Sequence, residues 1–244
     1  MTITDVNLTL GGRDHAGNEI TLDTLLALMA DYHIDHGVCY HQHALLDPKD
    51  GNTKMAQLSA LSGGKLSVCA VLDPILGAEN LPGEGTLLER LKAFHPACLR
   101  IFPKLVRIPF HSFYWEEILE AANALSLPLL IDDTYDELFL CNIPQISADY
   151  PNIRFILVRL GCCQGRQILP LLQKRQNVYF TIERMLDNLQ LEELEVRCDC
   201  THLLFGSGYP ERPHAGTLGL ALYANISEEN RQRILSDNWE AIKP

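Results

Sequence analysis

Short apolar, β-branched runs alternate with helix-patterned stretches along this whole chain, and that alternation restricts it to parallel α/β architectures. Residues 3–10 read as a strand stopped by Gly11-Gly12. Residues 22–32 carry apolar side chains at helical spacing, with Thr21 and Thr24 placed to cap the start. The pattern predicts further strands over 36–40, 65–72, 98–102, 128–131, 152–160, 177–182 and 203–205. Helices are expected over 52–61, 86–94, 115–125, 138–149, 167–175, 191–198 and 228–242. Strands this uniformly apolar are expected to be covered on both faces, as in all-parallel sheets. A closed barrel and an open doubly wound sheet share this periodicity, so both stand at this point.

The length of 244 residues is that of one (β/α)8 barrel, about 250 residues. No Gly/Ser/Pro linker and no repeat divides the chain, so residues 1–244 are expected to form a single domain. A net charge of -11 argues against a nucleic-acid or anionic-membrane partner. No apolar run reaches the roughly 18 residues of a membrane span. The first residues, Met1-Thr2-Ile3-Thr4-Asp5, lack the basic and apolar regions of a signal peptide, so a cytoplasmic protein is expected. Its eight cysteines are scattered through apolar runs, which points to reduced thiols. Neither Cys162-Cys163 nor Cys198-Asp199-Cys200 has the spacing of a zinc site.

Four segments carry a resemblance. They are Leu99-Arg100-Ile101-Phe102-Pro103-Lys104, Leu127-Pro128-Leu129-Leu130-Ile131, and Tyr150-Pro151-Asn152-Ile153 with Leu160-Gly161. The fourth is Leu203-Leu204-Phe205-Gly206-Ser207-Gly208-Tyr209-Pro210, followed by Ile226-Ser227-Glu228-Glu229-Asn230-Arg231. In this order the chain resembles the amidohydrolase superfamily, in its second, decarboxylase-like branch. The resemblance implies a TIM barrel of the metal-dependent hydrolase type. It also implies a mouth at the C-terminal ends of the strands and hydrolysis or nonoxidative decarboxylation of small molecules.

The metal ligands that the resemblance implies are replaced in turn. Asn7 and Thr9 stand for the His-x-His of the first strand, Asp132 for the histidine after the fifth, Arg159 for that of the sixth, and Gly208 for the final aspartate. This is the pattern of a divergent branch. Asn7 and Thr9 are weak neutral donors, Gly208 offers none, and Arg159 carries a fixed positive charge, so no conventional zinc site is expected. No other cofactor is expected. A zinc ion would need a non-standard site, for which Tyr40-His41-Gln42-His43 supplies the chain's only His-x-His; a pocket acid or base at His41 is the other reading.

The strand ends then give the candidates. Arg159 and Asp132 form an expected ion pair, read either as a replacement for metal and ligand or as a self-neutralised remnant. Asp132-Asp133 could act as a base, while Asp133-Thr134 could simply cap a helix. Asp132, Arg159 and His41 make the catalytic set. Asn7, Thr9, Arg100, Glu183, Ser207 and Tyr209 are the substrate-binding set. Arg100 is expected to be held by an acidic neighbour and Lys104 to be exposed. Gln164, Arg166, Arg184, Arg212 and His214 complete the rim, His214 as a loop residue. Ser207 lacks a G-x-S-x-G context, and no phosphate-binding glycine loop is present.

The leading expectation is an amidohydrolase-like hydrolase or decarboxylase acting on a small anionic molecule without the usual metal. The alternative is a non-catalytic small-molecule-binding barrel derived from such an enzyme. Homo-oligomerisation is left open.

Overall fold

The computed structural model describes residues 1–132, 137–159, 165–185 and 189–244. Asp133, Thr134, Leu160, Gly161, Cys162, Cys163 and Gln164, and the side chain of Arg166, lie outside the described residues.

Eight parallel strands form one sheet in sequence order. They are β1 (Thr4–Leu10), β2 (His36–His41), β3 (Leu66–Val71), β4 (Cys98–Ile101), β5 (Leu129–Ile131), β6 (Phe155–Leu157), β7 (Val178–Thr181) and β8 (Leu203–Leu204). The sheet closes on itself: Val6 donates its N–H to the Phe205 carbonyl at 3.0 Å, and Gly208 donates to that of Asn7 at 3.1 Å. Of the two architectures that periodicity allows, the chain is the TIM barrel.

Alternation of side chains along each strand divides the apolar residues into two layers. Leu99, Ile101, Leu129, Ile131, Phe155 and Leu157 face outward onto the helices. Val38, Cys69, Cys98, Leu130, Ile156 and Leu204 fill the barrel. The covering helices are α1 (Leu22–Asp31), α2 (Pro48–Leu61), α3 (Leu87–Phe94), α5 (Ser112–Leu125), α6 (Glu137–Asp149), α7 (Gly165–Lys174) and α8 (Gln190–Cys198), with a short α4 (Pro103–Val106) after β4. Thr21 and Thr24 form the expected reciprocal cap of α1.

Besides the unpredicted α4 and an α2 that begins at Pro48 rather than at 52, three segments depart from expectation. β6 is shorter than 152–160, because the Asn152 N–H turns to the Asn123 side chain, 3.0 Å away. A helix α9 (His214–Tyr223) follows β8, where two glycines at 216 and 219 had hidden the periodicity. The closing helix is broken into α10 (Glu228–Gln232), a π-helical turn (Arg233–Asp237) and α11 (Asn238–Ile242). At that turn the Ile234 carbonyl accepts the Phe205 N–H at 2.8 Å, tying the C-terminal segment to the strand that closes the barrel. Trp239 and Ile242 of α11 join the interior cluster and stop the barrel from below.

One irregularity in β1 shapes the site. Asp5 pairs with Gly37 and Leu8 with Cys39, so three steps on β1 match two on β2. This bulge carries one extra residue. Val6 stays in the interior cluster and Leu8 in the outer one, and Asn7 is turned toward the mouth.

Cys39, Cys69, Cys98, Cys198 and Cys200 are free thiols. Among the described residues, no helix is long and apolar enough to cross a membrane.

Candidate functional site

Arg100, near the end of β4, has 1% of its surface exposed and reaches across to Asn7 of β1 and to Asp132. Its guanidinium rests against the Tyr40 and Phe102 rings, 4.6 and 5.0 Å from their centres. Nη1 donates to Asn7 Oδ1 at 2.7 Å and Nη2 to Asp132 Oδ2 at 2.6 Å. Burial works against the charge, but the Asp132 carboxylate and the Tyr40 oxygen outweigh it and raise the pKa. A permanent cation therefore occupies the centre of the barrel mouth.

Asn7 passes the network on, donating through Nδ2 to Glu183 Oε1 at 3.0 Å. The same oxygen accepts the backbone N–H of Arg159 at 2.9 Å. Arg159 has φ 60, a left-handed conformation that costs a non-glycine residue about 1 kcal/mol or more, and the bond to Glu183 helps hold it there. Its guanidinium pairs with Glu211 and lies 3.5 Å from Asp132 Oδ2. Glu183 is 2% exposed, and its Oε2 has no partner among the described residues. Burial raises its carboxyl above the usual range, against the opposing pull of the Thr181 hydroxyl and Arg159.

Beneath this network, Asp5 Oδ1 accepts the N–H groups of both Asn7 and Ser207 at 3.0 Å. One carboxylate oxygen thus joins the β1 bulge to the turn after β8. Asp5 Oδ2 lies 3.5 Å from His214 Nε2, and both residues are buried. His214 sits at the start of α9, its ring stacked between Tyr32 and Tyr209. Desolvation lowers its pKa against the raising effect of Asp5.

Asn7, Arg100, Asp132, Arg159 and Glu183 thus form one connected set. The expected Arg159–Asp132 pair is corrected in one respect: the close partner of Asp132 is Arg100, and Arg159 leans mainly on Glu211. The remaining candidates lie differently. Ser207 is fully buried, and its hydroxyl accepts the Tyr209 N–H at 3.1 Å, which makes it a turn residue. The Tyr209 ring packs on His214, while its carbonyl accepts the Thr9 N–H. Thr9 is buried beside the Tyr40 hydroxyl.

His41 stands apart from the set, its Nδ1 accepting the His43 N–H and its ring lying over Gly11. His43 pairs with Asp50. His214 is a buried helix residue rather than a loop residue, and Arg212 reaches the Glu183 carbonyl at 3.4 Å. Lys104 is exposed, as expected. Asp5 and Glu211 were missed, although Asp5 is the one charged residue of the first strand.

A divalent metal does not fit this donor set. Asn7 Oδ1 and Asp132 Oδ2 are both taken by Arg100, whose guanidinium lies between them. Gly208 has φ +74, and a Cβ there would point to Asn7 and Glu183 at 3.7 Å, so an aspartate at this turn would be strained. Among the described residues, no three His, Cys, Asp or Glu side chains gather to hold an ion.

No family model and no curated protein matches the chain. Solved structures do. A TIM-barrel protein from Bordetella bronchiseptica is 14% identical with TM-score 0.79, covering 99% of this chain and 98% of its own. The likeness establishes the fold. 5-Carboxyvanillate decarboxylase from Sphingomonas paucimobilis is 12% identical with TM-score 0.72, over 99% and 98% of the two chains. A dihydroxybenzoic acid decarboxylase from Polaromonas, with bound manganese and the inhibitor 2-nitroresorcinol, is 13% identical with TM-score 0.75, over 99% and 96%.

Proposed function

We propose that this barrel is a hydrolase or lyase acting on small carboxylate-bearing molecules, using Arg159 and Glu183 where its structural relatives include a manganese-bound decarboxylase. The observation that carries this reading is Glu183: a buried carboxyl held toward its protonated form, with one oxygen unpartnered among the described residues, beside an arginine. Arg159 binds the substrate anion, exchanging part of its contact with the exposed Glu211 for the ligand. Arg100 stays locked to Asn7 and Asp132 and supplies a fixed positive field. Asp132 is a counter-ion, since its Oδ2 faces both guanidinium groups.

In the lyase branch the C–C bond to the carboxylate breaks, CO2 leaves, and the electron pair left on carbon takes the Glu183 proton. Water then restores that proton. In the hydrolase branch Glu183 protonates the leaving group as water adds, and takes back the proton that the water gives up. Fold similarity to decarboxylases at low identity supports the first branch only as a starting point.

The test is a screen of aromatic and aliphatic carboxylic acids for CO2 release and for hydrolysis of their amides and esters. Glu183→Gln is expected to lower kcat about 10²–10⁴-fold while binding persists, and Arg159→Met to weaken binding. Turnover indifferent to Glu183→Gln would contradict the reading. The mutual saturation of Arg100, Asn7 and Asp132 favours a second reading, a binding barrel without chemistry; anion binding with no turnover of any acid would select it.

A further inference from the structure

We propose that the substrate anion carries an uncharged hydrocarbon arm, and that this arm lies in an apolar cavity beside the mouth on the β2–β4 side. The inference rests on the reading that the mouth takes a carboxylate. The cavity has a volume of about 280 Å³ and opens among the loops after β2, β3 and β4. Its walls include Ala44, Val71 and Phe102, which belong to the barrel-interior cluster. Phe102 ties the cavity to the mouth: it lines the cavity, and its ring lies 5.0 Å from the Arg100 guanidinium.

Its rim is apolar and exposed. Leu46 is 85% exposed, Ile75 79%, Leu105 55% and Leu76 41%, and all four line this one cavity. Single exposed leucines need no explanation, but several around one concavity mark a binding surface.

The rim is also rigidly built. Buried Asn80 closes the loop bearing Ile75 and Leu76: its Oδ1 accepts the Asp73 N–H at 2.7 Å, and its Nδ2 donates to the Asp73 and Gly77 carbonyls. Buried Asn52 donates to the Asn80 carbonyl at 3.0 Å and exchanges two 2.8 Å bonds with the Val71 backbone. The 3₁₀ turn Gln42–Leu45 sits directly on Gly51 of α2, where any side chain would overlap the Ala44 backbone. Buried polar side chains and a close backbone contact therefore fix apolar side chains in water, a costly arrangement for a surface with nothing to hold.

Size and charge select the occupant. Pockets that enclose a whole drug-sized ligand span about 300–1,000 Å³, so this cavity suits one arm of a molecule anchored elsewhere. Asp73 on its wall disfavours a second carboxylate there. A hydrocarbon arm attached to the anion in the mouth satisfies both conditions.

The experiment measures dissociation constants of acetate, butanoate, hexanoate and octanoate at fixed ionic strength by calorimetry. It uses the wild type, Arg159→Met, and the double variant Ile75→Gln/Leu105→Gln, whose substitutions fall on exposed positions. Wild-type affinity is expected to rise about fourfold per methylene until the cavity is full. The double variant should bind acetate unchanged and lose tenfold or more for hexanoate. Acetate binding that depends on Arg159, with no gain along the series, would overturn the apolar subsite and leave the anion reading standing. No binding of any acid would overturn both. A flat series together with a dimer that dissociates in the double variant would assign the rim to a second copy of the chain instead.

Discussion

Arg100 carries its charge into a place where an unpaired charge would cost several kcal/mol, and Asp132 and Asn7 are what keep it there. Removing the guanidinium takes away the partner 2.6 Å from Asp132 Oδ2 and leaves the more distant Arg159 at 3.5 Å. Arg100→Met is therefore expected to destabilise the fold by about 3–5 kcal/mol, and Arg100→Met/Asp132→Leu by less. Thermal and urea melts of both variants check this; a double variant weaker than the single one would contradict it. Glu183 makes a prediction of opposite character. Its folded pKa is raised by burial, so between the ordinary carboxylate value and the raised one the folded state binds more protons than the unfolded chain. Stability then falls as pH rises through that window and levels off above it. Glu183→Gln should gain relative stability across the same window, as read from melts at a series of pH values. A variant whose pH profile parallels the wild type would show that Glu183 does not titrate in this way. Arg100, Asp132, Arg159 and Glu183 could be picked out as candidates because strand ends can be read from apolar runs, and Asn7 because of its place in the resemblance. Their pairing was not, since it depends on which side chains meet across a curved barrel.

At the scale of elements, the eight strands could be read from the alternating pattern, while their order in the sheet and the bulge in β1 could not. A bulge is a mismatch between two strands, and the sequence of one strand does not contain it. Asp5 exists to serve that bulge, accepting the Asn7 and Ser207 N–H groups with one oxygen. Asp5→Ala leaves two buried donors without an acceptor, each costing about 1–3 kcal/mol, and also frees β1 from the turn after β8. Asp5→Asn keeps an acceptor and should lose much less. Hydrogen exchange at the Asn7 and Ser207 amides provides the local readout: strong acceleration in Asp5→Ala and near-native protection in Asp5→Asn. Equal exchange in the two variants would contradict this role. α9 was missed for a related reason, because two glycines weaken its helical signature while its anchor, His214, is fixed by tertiary stacking between two tyrosines.

The whole molecule has a net charge of -11, yet its mouth gathers Arg100 and Arg159 around Asp132. The guanidinium of Arg100 lies between Asn7 and Asp132 and takes up an oxygen of each. Prolonged EDTA treatment is accordingly expected to leave the melting temperature and anion binding unchanged, with elemental analysis as the companion measurement. A stoichiometric metal whose removal destabilises the protein would refute that expectation. The central claim is that Arg159 makes the mouth a carboxylate site, and the most direct test is calorimetric titration with acetate and benzoate at constant ionic strength. The account predicts saturable binding of one anion per chain, weakened tenfold or more by Arg159→Ala and unaffected by Arg197→Ala on the exposed face of α8. Binding that survives Arg159→Ala, or falls equally in both variants, would contradict it.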